Sequence, residues 1–135
     1  MKQLDNDMWV AGQIAPEDVA GLAARGVTGI VNNRPDGEEP GQPTSARIEA
    51  AAVAAGLAYA YVPVAGGMSS DLVEAMAEAL EPPTRVLAFC KSGTRSVFLW
   101  ALARARMGDD PQELHAKAAD AGYDLSPISR YMQSH

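Results

Sequence analysis

Residues 85–104 constrain this chain most: Arg85-Val86-Leu87-Ala88-Phe89-Cys90, then Lys91-Ser92-Gly93-Thr94, then Arg95-Ser96-Val97-Phe98-Leu99-Trp100-Ala101-Leu102-Ala103-Arg104. The first six residues read as a short apolar strand. The last ten read as a helix with apolar residues at Val97, Leu99, Trp100 and Ala103. The turn between them opens on the only cysteine in the protein. A strand that runs straight into a helix leaves unpaired N–H groups and the positive end of the peptide dipoles at the helix start, which attracts anions.

The residues of this turn suit such a role. Gly93 permits a tight turn with the N–H groups facing inward, and Arg95 adds a permanent planar cation with a fork of donors. A thiol placed there loses its proton readily, since cysteines at helix starts near cations titrate at roughly 3.5 to 7.5. Ser96 carries a hydroxyl that could point back to the sulfur. A lone cysteine ending an apolar strand is ordinarily just a small buried hydrophobe. That reading leaves the run Lys91 to Ser96 unexplained, because so many polar groups are costly at a core position without partners.

Around this stretch the chain alternates between strands and helices. Strands are expected at Met8 to Gln13, Val27 to Asn33 and Leu57 to Val64. Helices are expected after Pro16, over Ser45 to Ala55, over Asp71 to Leu80 and from Pro111 towards Gly122, with Gly26, Gly56 and Gly108 at helix ends. Asp71 and Glu74 are spaced like a capping box. Arg34 to Pro43 holds three prolines and reads as a loop crossing the surface. This order implies a single α/β domain over residues 1–135, a four-stranded and mainly parallel sheet flanked by helices. Ligands of such sheets bind outside the carboxyl ends of the strands. Three loops therefore converge: Asn33 to Glu38, Val64 to Ser70, and Cys90 to Arg95.

Composition narrows the function. The 135 residues are 47% hydrophobic and 21% charged, with a net charge of −6, which argues against nucleic acid. No apolar run approaches the roughly 18 residues needed to span a membrane, and residues 1–7 lack the apolar core of a secretory signal. With a single cysteine there is no internal disulfide, so a reducing cytoplasm is expected. One cysteine and two distant histidines, His115 and His135, make a protein-held metal or other cofactor unexpected. His115 reads as a solvated helix residue and His135 as part of a frayed tail.

The pattern Cys90-x4-Arg95, together with Asn32-Asn33-Arg34-Pro35-Asp36-Gly37-Glu38 and Ala121-Gly122-Tyr123-Asp124-Leu125, resembles the DUF442 family. The resemblance runs from about Gly12 to Leu125. It implies a protein-tyrosine-phosphatase-like three-layer sandwich, in domains that occur alone or joined to persulfide dioxygenases and carry phosphatase-like or sulfurtransferase labels. A persulfide dioxygenase is accordingly an expected partner.

Two reactions compete for the site. In both, Cys90 is the nucleophile, Arg95 holds the anion, Ser96 supports the sulfur, and Lys91, Ser92, Gly93 and Thr94 contact substrate. Asn33, Arg34 and Asp36 could line the same pocket, although Arg34 could equally pair with Asp36, Glu38 or Glu39. A phosphatase would pass through a phosphocysteine and needs an acid for the leaving alcohol, yet Val64-Ala65-Gly66-Gly67-Met68 has none. A rhodanese-like sulfurtransferase would form a Cys90 persulfide from an anionic donor such as thiosulfate and pass the sulfur to cyanide or a thiol. Tyrosine phosphatases use Cys-x5-Arg, whereas four residues separate Cys90 and Arg95, the rhodanese spacing. On loop length and the missing acid, the sequence favours sulfur transfer, with phosphate-ester hydrolysis as the alternative and a catalytically weak anion-binding module as a third reading.

Overall fold

The computed structural model describes residues 1–132, so His135 lies outside the described residues. Five strands form one sheet: β1 (Lys2–Asp5), β2 (Met8–Ala11), β3 (Gly29–Asn32), β4 (Ala58–Tyr61) and β5 (Val86–Phe89), in the order β1-β2-β5-β3-β4. β2, β5, β3 and β4 are parallel, and β1 pairs antiparallel with β2, placing Lys2 opposite Val10. The sheet thus has one strand more than the four expected. The added strand lies at an edge and buries only Leu4, so residues 2–5 show no apolar run.

The helices are α1 (Val19–Ala24), α2 (Ser45–Ala54), α3 (Ser70–Ala79), α4 (Thr94–Arg106), α5 (Pro111–Asp120) and α6 (Ser129–Met132), with 3₁₀ turns at Pro16–Asp18 and Ser126–Ile128. They cover both faces, which explains why β3 and β5 are buried along their whole length and apolar except for Asn32 at the end of β3. Alternate side chains go to opposite layers. Ile30, Leu87 and Phe89 pack with Leu22, Ile48 and Ala52 on one side. Val31, Ala88 and Val10 pack with Val73, Leu99 and Trp100 on the other. Trp100, Phe89 and Leu99 are fully buried, and each such side chain contributes roughly 1.5–3 kcal/mol by leaving water.

Helix starts differ from expectation at one place. Ser69, not Asp71, caps α3, its Oγ accepting from Leu72 N at 3.3 Å, and Asp71 sits in the first turn as an acidic residue. Asp110 caps α5 with Pro111 behind it, as the sequence suggests. His115 is half-buried rather than solvated, with Nε2 3.0 Å from Ser129 Oγ.

Candidate active site

β5 lies between two parallel neighbours, and Cys90 is the first residue beyond its end. The backbone bonding of the strand continues into the loop: Cys90 N donates to Ala11 O at 3.4 Å, Gln13 N donates to Lys91 O at 3.4 Å, and Asn33 N donates to Phe89 O at 2.8 Å. A Cβ on Gly12 would sit 2.9 Å from Lys91 O, so glycine allows this close approach. Gly93 then turns the chain into α4 with a φ of +92°, in the left-handed region. Its N–H donates to Cys90 Sγ at 3.1 Å.

These contacts set the state of the thiol. Burial pushes the Cys90 pKa up, but the N–H groups of Ser96, Ser92 and Gly93 and the Ser96 hydroxyl more than offset it, holding the thiol below its ordinary value. Ser96 is fully buried and its Oγ makes no hydrogen bond of good geometry, so it acts on the sulfur as a nearby dipole. Tyr123 Oη donates to Ser92 O at 3.2 Å, and burial together with the Cys90 charge pushes the phenol pKa up.

Arg95 is held from the far side. Nη1 and Nη2 donate to the two oxygens of Glu38 at 2.7 and 2.9 Å, and Nη1 also donates to Val64 O at 3.0 Å. Glu38 raises the Arg95 pKa further, and the nearby Cys90 charge adds to this. Among the described residues no oxygen accepts a hydrogen bond from Arg95 Nε, which leaves the Nε–Nη2 edge for an anion. Glu38 in turn is pushed down to about 2, chiefly by its bonds to Arg95 against a smaller cost of burial, with Arg34 adding to the effect. It is therefore a permanent carboxylate at neutral pH and no proton donor.

The residues of the second loop are brought here but do different work. Arg34 is buried, and its donors go to Glu38 Oε1 at 2.8 Å, Gln13 Oε1 at 3.0 Å and Glu39 Oε1 at 2.6 Å. Of its two sequence-derived roles the structure displays ion pairing, with Glu38 and Glu39 rather than Asp36. Asp36 Oδ1 accepts from Ser45 N at 2.7 Å at the start of α2, which commits it to the helix end. Asn33 is buried, with Nδ2 on Val62 O at 2.9 Å and Oδ1 unpartnered. Lys91 is exposed and pairs with Glu39 at 3.2 Å, while Ser92 and Thr94 hydroxyls lie 3.2 Å apart. Glu38, Tyr123 and Gly12 are contacts of the Cys90–Arg95 loop that local sequence patterns missed. Tyr123 and Glu38 stand inside quoted motifs, but nothing local assigns them to this loop.

A mainly parallel sheet covered on both faces, with a cysteine loop and an arginine at the end of its central strand, defines a phosphatase-like α/β domain of the protein-tyrosine-phosphatase type. Residues 1–107 match the family model "Beta-lactamase hydrolase-like protein, phosphatase-like domain", and the chain belongs to that family. Similar curated proteins are the beta-lactamase hydrolase-like proteins of Agrobacterium fabrum, 35% identical over 97% of this chain, and of Xylella fastidiosa, 39% identical over 90% of it. The chain spans only 31% and 30% of their lengths. Among solved structures, a candidate phosphatase from Neisseria meningitidis is 30% identical with a TM-score of 0.81, covering 98% of this chain and 95% of its own. The catalytic core of the PP-IP phosphatase Siw14 from Saccharomyces cerevisiae has a TM-score of 0.70 at 15% identity, covering 98% and 83%, a likeness of fold. These relatives favour the phosphatase alternative of the sequence reading over the rhodanese-like one.

Proposed function

We propose that the domain is a cysteine-dependent phosphatase in which Cys90 attacks the phosphorus of a small phosphate ester. The observation that carries this reading is the pairing of the Gly93 N–H on Cys90 Sγ with an Arg95 fork held by Glu38 and open at Nε. An S–P bond forms as the P–O bond breaks. Arg95 and the loop N–H groups hold the oxygens of the transferring group, and water then cleaves the phosphocysteine to return the thiolate and phosphate. The 64–70 loop offers no carboxylic acid and Glu38 is ionised, so the departing oxygen receives no proton from either. General acid catalysis is worth about 10²- to 10⁴-fold. The substrates it handles best are accordingly those with stable leaving groups, such as aryl phosphate esters.

A second reading rests on a specific observation, the four residues between Cys90 and Arg95. A loop this short suits a single sulfur atom. The thiolate would attack the outer sulfur of thiosulfate, sulfite would leave without needing a proton, and the Cys90 persulfide would pass its sulfur to cyanide or a thiol. In that case a persulfide dioxygenase is a fitting partner, and a cytoplasmic setting suits a free thiolate.

Intact mass separates the two. After brief exposure to an aryl phosphate, trapping of a phosphoryl adduct on Cys90 with turnover lost in Cys90→Ser supports hydrolysis. Retention of one sulfur atom after thiosulfate, with no aryl phosphate turnover, replaces it with sulfur transfer.

A further inference from the structure

We propose that Glu38 and Glu39 balance the charge at the mouth of the Cys90 loop, so that the site accepts one small oxyanion and rejects polyanions such as oligophosphates. This deepens the proposed function and rests on its reading that the loop holds an oxyanion. The loops at this end of the sheet, residues 11–15, 33–43, 62–70 and 90–95, carry three basic residues, Arg34, Lys91 and Arg95, and three acidic ones, Asp36, Glu38 and Glu39. The adjoining loop 121–125 adds Asp124 and no cation.

Every one of those cations already has a carboxylate. Glu38 takes both Nη groups of Arg95 and the Nε of Arg34. Glu39 Oε1 takes Arg34 Nη2 at 2.6 Å and Lys91 Nζ at 3.2 Å, and those two bonds hold its own carboxyl below the usual range. What remains for a ligand is the Nε edge of Arg95 and the N–H groups of one tight loop, enough for one anion.

A second or third phosphate on the same molecule would meet the rim. There Asp36, Glu38, Glu39 and Asp124 offset Arg34, Lys91, Arg95 and the Arg106 that bonds Ser70 of the 62–70 loop, so the rim carries no surplus of positive charge, and the whole chain carries −6. Specificity is set by like charges placed against the wrong ligand as well as by attraction to the right one, and like-charge juxtaposition is costly. Glu39 is the residue through which this can be tuned. Its side chain is 49% exposed, and among the described residues it shares no hydrogen bond or ion pair with Cys90 or Arg95 and is the one carboxylate paired with Lys91.

The test is calorimetric titration of the full chain, reduced, with inorganic phosphate and with tripolyphosphate at the same salt concentration. The unchanged protein should bind tripolyphosphate no more tightly than phosphate. Glu39→Lys should raise the ratio of tripolyphosphate to phosphate affinity by at least about tenfold, with the gain shrinking at high salt. Glu39→Gln, which only neutralises a half-exposed side chain, should raise it roughly threefold and serves if charge reversal disturbs folding. Tripolyphosphate binding tenfold tighter than phosphate in the unchanged protein, or a ratio untouched by both substitutions, overturns the charge-balance proposal alone. Failure of either anion to bind any of the three proteins overturns the oxyanion reading of the loop and this proposal with it.

Discussion

Arg95 presents both Nη groups to the Glu38 carboxylate, at 2.7 and 2.9 Å, across 57 residues of sequence. The bidentate pair turns a long, flexible side chain into a fixed donor, which is the geometry that planar recognition of an oxyanion requires. The same carboxylate accepts from buried Arg34, so the loop after β3 and the loop after β5 share one ion.

Glu38→Gln should therefore weaken both catalysis and stability. The amide keeps the shape and can keep an oxygen on Arg34 Nε and Arg95 Nη2, but it loses the charge and sets an NH2 donor where Oε2 accepted from Arg95 Nη1. Loss of hydrogen bonds to a charged group costs about 1–3 kcal/mol. Urea denaturation should show a loss of this size, and kcat/KM with an aryl phosphate should fall at least about tenfold as Arg95 loses its fixed orientation. A variant with unchanged kcat/KM would show that Val64 O alone suffices to place Arg95.

Acid should undo the same link. Glu38 titrates at about 2 in the folded chain against 4.5 for a free side chain, so the unfolded state binds the proton more readily. Its contribution is full above the unfolded value, fades as pH falls below 4.5, and is gone by the folded value near 2. Stability measured across that window should drop as pH falls, and more gently in Glu38→Gln. Glu39 and Asp124, also held below their usual values, leave a residual slope. Identical pH slopes in the two proteins would mean that the pair exchanges freely with water.

Cys90 should alkylate with a midpoint below the roughly 8.5 of a free thiol, since the loop N–H groups outweigh its burial. Ser96→Ala removes the nearby dipole and should move the midpoint upward without unfolding the helix, as alanine is a good helix former. A midpoint at or above 8.5 in the unchanged protein removes the thiolate from both candidate reactions.

The alternation of strands and helices, and with it the convergence of three loops on Cys90, was legible because each element carries its own apolar period and its own end signals. β1 was not legible: it is an edge strand with a single buried residue, and its existence depends on pairing with β2. The α3 start misled because Ser69, Ser70 and Asp71 can all cap, and backbone geometry alone selects Ser69. Cys90, Gly93 and Arg95 were recognisable as one local unit. Glu38 and Tyr123 reach that unit from 57 and 31 residues away, and a contact of that range leaves no periodic trace in one sequence.

The tightest local relationship in the site gives the last prediction. Gly93 holds a φ of +92°, and a Cβ there would collide with Tyr123 Oη, the hydroxyl that donates to Ser92 O. Gly93→Ala thus faces two separate costs, the left-handed backbone, about 1–2 kcal/mol for a residue with a Cβ, and the collision. Tyr123→Phe alone loses one half-exposed hydrogen bond, worth about 0.5–1 kcal/mol. In the double variant the collision with Oη is relieved, a close contact with the ring Cζ at 3.3 Å stays, and so does the backbone cost. The double variant should be less destabilised than the sum of the single changes by about 1 kcal/mol or more, a coupling expected only of residues in contact. Additive losses would place the whole penalty of Gly93→Ala in the backbone and assign Tyr123 no part in shaping the turn.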